Sequence, residues 1–116
     1  MILFVDDNEM TVSMWAEQID RTAIMCYTVE QAEQHIFDHG DDINVVVCDG
    51  KFPVSDGERP NFDACRTILR LAKEAGIKTR YCVSNDLSFR RAMVGSKLAT
   101  HESEKQTICE ELNELD

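Results

Sequence analysis

Residues 43–50 read INVVVCDG, a valine-dense run that ends in a carboxylate, Asp49, and then a glycine. Apart from Asn44 the run is apolar at odd and even positions alike, so it has no polar face to turn toward water. It fits a strand covered on both sides, which is how strands of parallel sheets are placed. The chain repeats this pattern. Ile2–Val5 is a continuous apolar run closed by Asp6 and Asp7, and Ile77–Val83 reads as a strand that ends at Ser84. Ala23–Tyr27 reads as a further strand, and a weaker one falls near Lys97–His101.

Between these runs the periodicity changes. Val12, Trp15, Ala16 and Ile19 recur at i, i+3, i+4 and i+7, the stripe of a helix lying on a flat surface. Thr28 and Gln31 have the spacing of a capping box and open a helix with Val29, Ala32 and Ile36 on its buried side, ending near Gly40. Residues 50–61, GKFPVSDGERPN, are rich in turn formers and lead into a helix around Phe62–Ala75, with Gly76 as its C-cap. A short helix over Leu87–Val94 stops at Gly95, and a last one carries Ile108, Leu112 and Leu115. Five strand–helix units of this kind predict an α/β fold: a doubly wound, five-stranded parallel sheet of flavodoxin-like (βα)5 topology. The 116 residues suit one domain, 1–116, running from first strand to last helix with no output domain attached.

Composition narrows the functional classes. The chain is 43% hydrophobic and 29% charged, as soluble globular proteins are. It carries 22 acidic against 12 basic residues, a net charge of −10. That balance speaks against a nucleic-acid surface, which needs a basic footprint, and against anionic membranes. No apolar run has the length of a membrane span, and the first is too short for a signal peptide. The five cysteines form no C-x-x-C pair, and Cys26, Cys48 and Cys82 lie inside apolar runs. They read as reduced, buried thiols, which places the protein in the cytoplasm.

In a parallel sheet the strand ends lie on one edge, where ligands of doubly wound folds gather. Asp6, Asp7 and Asp49 therefore converge there with Ser84 beside them. Carboxylates held that close repel one another. Mg²⁺, a hard cation seeking oxygen ligands, relieves the repulsion and keeps positions open for phosphate oxygens.

These residues also carry a family resemblance. VDDNE (5–9) after a leading strand, with VVVCDGKFPVSDG (45–57), resembles the receiver domain of two-component response regulators. The likeness covers nearly the whole chain. The family's acidic pair corresponds to Asp6 and Asp7, and its phosphoacceptor to Asp49. That acceptor lies in a D-x-x-[M/F]-P-x-x-D-G pattern completed by Phe52, Pro53, Asp56 and Gly57, and the family's hydroxyl residue matches Ser84. The resemblance implies phosphoryl transfer from a phosphohistidine to Asp49, with Mg²⁺ held by Asp7, Asp49, Asp6 and the backbone carbonyl of Lys51. It implies that Ser84 hydrogen-bonds the phosphoryl group and moves inward as the switching step. It further implies a signalling receiver, not an enzyme with other substrates. Its partners would be a histidine kinase or phosphotransfer protein and a downstream target protein.

The sequence departs from the family in places. Receivers end the fifth strand with Lys-Pro, which is absent here. Two registers compete: KQTICEEL (105–112) against the family's K-P-x-x-x-E-E-L puts Lys105 in the lysine role. A capping box of Ser103 with Gln106 instead puts Lys105 inside a helical turn and leaves the role empty. The family's switch aromatic has no clear counterpart, His101 being the nearest ring. Asn85 replaces a small residue after the hydroxyl, and GERPNFDA lengthens the connection after the D-G pair. One alternative is a degenerate receiver that binds its partner without phosphorylation. A haloacid-dehalogenase-type hydrolase needs D-x-D, whereas Asp6 is followed by Asp7 and Asn8. Neither G-x-G-x-x-G nor a P-loop is present for a nucleotide.

Overall fold

Ile2–Val5 forms β1, and its four side chains are fully buried or nearly so. In the computed structural model, which describes residues 1–52, 55, 57–59 and 61–115, β1 lies inside a five-stranded sheet. The other strands are β2 (Ala23–Cys26), β3 (Val45–Asp49), β4 (Thr79–Val83) and β5 (His101–Ser103). Their order is β2-β1-β3-β4-β5 and every pairing is parallel, the flavodoxin-like arrangement expected. The helices are α1 (Glu9–Gln18), α2 (Val29–His39), α3 (Phe62–Glu74), α4 (Leu87–Gly95) and α5 (Ile108–Asn113).

Side chains alternate across the sheet, and each set meets its own layer of helices. Leu3, Val5, Val46, Cys48 and Cys82 join residues such as Ala32, Ile68, Leu69 and Phe89 from α2, α3 and α4. Ile2, Phe4, Val45, Val47, Tyr81 and Val83 pack with Val12 and Trp15 of α1 and Ile108 and Leu112 of α5. Both faces are thus dry, which is why the strands read as unbroken apolar runs. All five cysteines are buried and free. No helix among the described residues is long and apolar enough to cross a membrane.

Several boundaries differ from the sequence reading. Thr28 does cap α2, its Oγ1 accepting from the Gln31 amide at 3.2 Å. Gln31, however, accepts from the Tyr27 amide at 2.8 Å, one residue before the cap, so the box is not closed on Thr28 itself. Gly76 ends α3 with φ +84, and the amides of Gly76 and Ile77 bond the carbonyls of Lys73 and Ala72, a Schellman motif. Gly95 belongs to α4, and the left-handed residue past that helix is Lys97, φ 66.

The last strand starts later than Lys97–His101. The carbonyls of Lys97 and Leu98 are held by the Arg80 guanidinium at 3.1 and 2.7 Å, so these residues serve as ligands of a side chain. Pairing with β4 begins only at His101, opposite Tyr81. The last helix starts at Ile108, so Ser103 ends β5 and does not cap α5.

Candidate functional site

The register levels the strand ends. Val5 lies beside Cys48, Asp49 beside Val83, and Val83 beside Ser103. Whatever follows these residues emerges on one edge of the sheet. Asp6 and Asp7 follow β1, Asp49 closes β3, Ser84 follows β4, and Lys105 comes two residues after β5. One carboxylate oxygen from each of Asp6, Asp7 and Asp49 lies within 4.8 Å of the others.

Their surroundings differ. Asp7 is exposed, Asp6 is fully buried, and Asp49 is 6% exposed. The Asn8 amide donates to Asp6 Oδ1 at 2.9 Å, while Asn8 itself caps α1 by accepting from the Thr11 amide. Asp6 Oδ2 is buried without a hydrogen-bond partner among the described residues. Lys105 Nζ stands 3.2 Å from that oxygen and 3.4 Å from Asp49 Oδ1. The Lys105–Asp6 contact is close enough to count as charge pairing but is not directed as a hydrogen bond.

One ammonium does not balance three carboxylates. Burial, then the neighbouring charge of Asp6, pushes the Asp49 carboxyl up to about 7 despite the opposing pull of Lys105. Burial also raises Asp6, partly countered by the Asn8 amide and Lys105. Burial lowers the Lys105 ammonium, but Asp49 and Asp6 outweigh it and the net direction is upward. A buried Asp6 oxygen met only by the charge of Lys105, among three hard oxygen donors, fits a divalent cation such as Mg²⁺.

Ser84 is buried against the backbone after Asp49. A Cβ built on Gly50 would lie 2.8 Å from both Cβ and Oγ of Ser84, so only glycine lets the two segments approach this closely. Ser84 Oγ accepts from the Asp86 amide at 3.0 Å, and Asp86 in turn caps α4 through the Phe89 amide at 2.9 Å. The Ser84 carbonyl takes Nη1 of the buried Arg90 at 2.7 Å. Arg90 Nε lies 3.6 Å from Glu102 of β5.

Lys51 is exposed two residues after Asp49, with Nζ 5.7 Å from the centroid of the Phe62 ring. Phe52 is fully buried, and the Asn61 amide donates to its carbonyl at 3.0 Å, closing the long connection into α3. Pro53 and Asp56 of the D-x-x-[M/F]-P-x-x-D-G pattern lie outside the described residues, while Gly57 has φ +85. His101 is exposed, with its ring stacked on Tyr81 at 4.7 Å.

Three contributors escaped the sequence reading. Gly50 had a signal, since a glycine directly after a strand-ending acid marks close backbone approach. Arg90 had none, because an arginine in a short helix normally points to water. Trp15 read as core alone, yet its Nε1 donates to the Lys105 carbonyl at 3.2 Å.

No protein-family model and no curated protein matches the sequence. Solved structures do resemble it. The signal receiver domain of an HD domain-containing protein from Pseudomonas fluorescens Pf-5 superposes with TM-score 0.72 at 20% identity, over 96% of this chain and 86% of that one. The Legionella pneumophila response regulator LqsR gives 0.72 at 17% identity, over 97% of this chain and 40% of that one. A response regulator receiver domain protein from Clostridium thermocellum gives 0.68 at 15%, over 97% and 90%. At these identities the likeness establishes the architecture: the chain has the receiver fold of response regulators.

Proposed function

We propose that this chain accepts a phosphoryl group on Asp49 from a phosphohistidine donor and thereby switches an interaction with a downstream protein. The observation that carries the reading is the gathering of Asp6, Asp7 and Asp49 at one sheet edge, with the Lys105 ammonium between two of them. In the reaction an Asp49 carboxylate oxygen attacks phosphorus, the P–N bond to the donor imidazole breaks, and that ring leaves with the bonding pair and takes up a proton. Asp6, Asp7, Asp49 and the Lys51 carbonyl would hold Mg²⁺. Bound there, Mg²⁺ supplies charge neutralisation for the equatorial phosphoryl oxygens and favours the ionised, nucleophilic form of Asp49.

The protein's own groups do the rest. Burial of Asp6 and Asp49 excludes water and strengthens each charge contact. Lys105 would balance the negative charge delivered with the phosphoryl group, and the Ser84 hydroxyl would hydrogen-bond it. Ser84 is tied to β5 through Arg90 and Glu102, which gives a movement at Ser84 a route to the α4–β5 surface. A histidine kinase or phosphotransfer protein in the cytoplasm suits this chemistry as donor.

The test is incubation with acetyl phosphate and Mg²⁺, borohydride trapping, and peptide mass spectrometry. A single label at Asp49, absent without Mg²⁺ and absent in Asp49→Asn, is the expected result. No label in the presence of Mg²⁺ would favour an adaptor that works without phosphorylation.

A further inference from the structure

Trp15 is the chain's only tryptophan and lies on the buried side of α1, its ring 5.5 Å from that of Phe4 in β1. Apolar packing accounts for the ring but not for the N–H. That donor crosses to the loop after β5 and meets the carbonyl of Lys105, ninety residues away in sequence, at 3.2 Å. Its acceptor belongs to the residue whose ammonium stands between Asp6 and Asp49.

The loop needs such an anchor. β5 supplies only three residues, and the Glu104 carbonyl accepts the amides of Thr107 and Ile108 at 3.2 and 3.1 Å. Those bonds close the turn around Lys105 without touching its own carbonyl. Gln106 follows, so no pyrrolidine ring fixes the backbone there. A cleft lined by Thr11, Met14, Gln18 and Gln106 opens beside the bond, so the loop is not clamped from outside. A lysine stem is long and flexible, and its ammonium finds one place only if its base is held.

We infer that Trp15 is a positioning residue: its indole N–H fixes the backbone at Lys105 and so aims the ammonium at Asp6 and Asp49. This rests on the reading of Lys105 as the group that meets the phosphoryl charge. The α1 helix thereby becomes part of the site without touching the reacting atoms.

The test removes the N–H and keeps the ring. Trp15→Phe is compared with wild type by acetic anhydride labelling in metal-free buffer, scored lysine by lysine by mass spectrometry. Lys105 labelling relative to Lys51, Lys73, Lys78 and Lys97 should rise roughly three- to tenfold, the worth of one neutral hydrogen bond. An unchanged Lys105 ratio in a variant that melts cooperatively overturns the proposal. If Trp15→Phe fails to fold, the deciding protein is wild-type chain grown with the tryptophan analogue in which sulfur replaces the indole N–H. It replaces this one residue, keeps its shape, and is judged by the same ratio.

A second readout uses acetyl phosphate and Mg²⁺. The rate of Asp49 labelling should fall several-fold in Trp15→Phe, and in a Lys105→Ala background Trp15→Phe should change it no further. Full additivity of the two variants would overturn the positioning role. Should wild type take up no label, the phosphoacceptor reading fails, while the acetylation ratio still decides what Trp15 does.

Discussion

At Gly50 a single missing methyl group sets the geometry. A Cβ there would press on Ser84 at 2.8 Å and on the Phe89 ring at 3.1 Å. Ser84 has little room to retreat, being held by the Asp86 amide and the Arg90 guanidinium. Gly50→Ala should therefore cost about 1–3 kcal/mol, as overpacking of a closed interior does. It should be read as a lower urea midpoint at unchanged slope. The neighbouring Asp49 gives the site a pH signature. Its carboxyl is raised to about 7 by burial and then by Asp6, whereas in the unfolded chain it titrates near its ordinary value of about 3.9. Between those two values the folded protein keeps a proton that the unfolded chain has released. The corresponding stability is fully present below about pH 4 and is lost as pH rises through about 7. Metal-free protein should thus lose stability across that window, and Asp49→Asn should flatten the decline. Urea titrations at a series of pH values would check both, and a rise in metal-free stability from pH 4 to 7 would contradict the burial argument.

At the level of elements, legibility followed burial. β1 could be read to the residue because Ile2–Val5 is covered on both faces and nothing but apolar side chains fits there. α3 could be read because its apolar stripe is continuous and Gly76 supplies the left-handed stop. β5 could not, because its three residues, His101, Glu102 and Ser103, are polar and take strand form from their pairing with β4. Its start is set by Arg80, whose hold on the Lys97 and Leu98 carbonyls leaves no pattern in the sequence. Ser103 mimicked a helix cap because serine offers the same hydroxyl to any nearby partner, and here its Oγ meets Thr107 and Glu111 of the following turn and helix. The acidic cluster was legible for a simpler reason: at the ends of β1 and β3 a carboxylate breaks an apolar run. Substitutions separate these roles. Ser103→Ala should cost about 1 kcal/mol, the worth of a lost hydrogen bond. Lys105→Ala removes the cation between Asp6 and Asp49, so the Asp49 carboxyl should rise further and Mg²⁺ should bind more tightly in calorimetric titration at pH 8. Weaker Mg²⁺ binding by Lys105→Ala would mean that the ammonium does not compete for these carboxylates.

For the molecule as a whole, a net charge of −10 and an acidic cluster at the end of the sheet make the fold responsive to cations in two separable ways. General screening acts on all exposed carboxylates and depends on ionic strength alone. A bound ion acts through the folded state only, because the unfolded chain does not bring Asp6, Asp7 and Asp49 together. Its effect grows with the logarithm of concentration over the dissociation constant and reaches about 2.7 kcal/mol at a hundredfold excess. For a domain near this size each kcal/mol moves the melting temperature by roughly 4–8 °C. Millimolar Mg²⁺ should therefore raise the melting temperature by several degrees at pH 8, where the site is most strongly repulsive. Sodium chloride at matched ionic strength should do much less. Asp49→Ala, having lost one donor and one source of repulsion, should start from a higher metal-free melting temperature and gain little from Mg²⁺. An equal gain in Asp49→Ala, or in sodium chloride, would assign the response to the acidic surface at large and leave the strand ends without a metal.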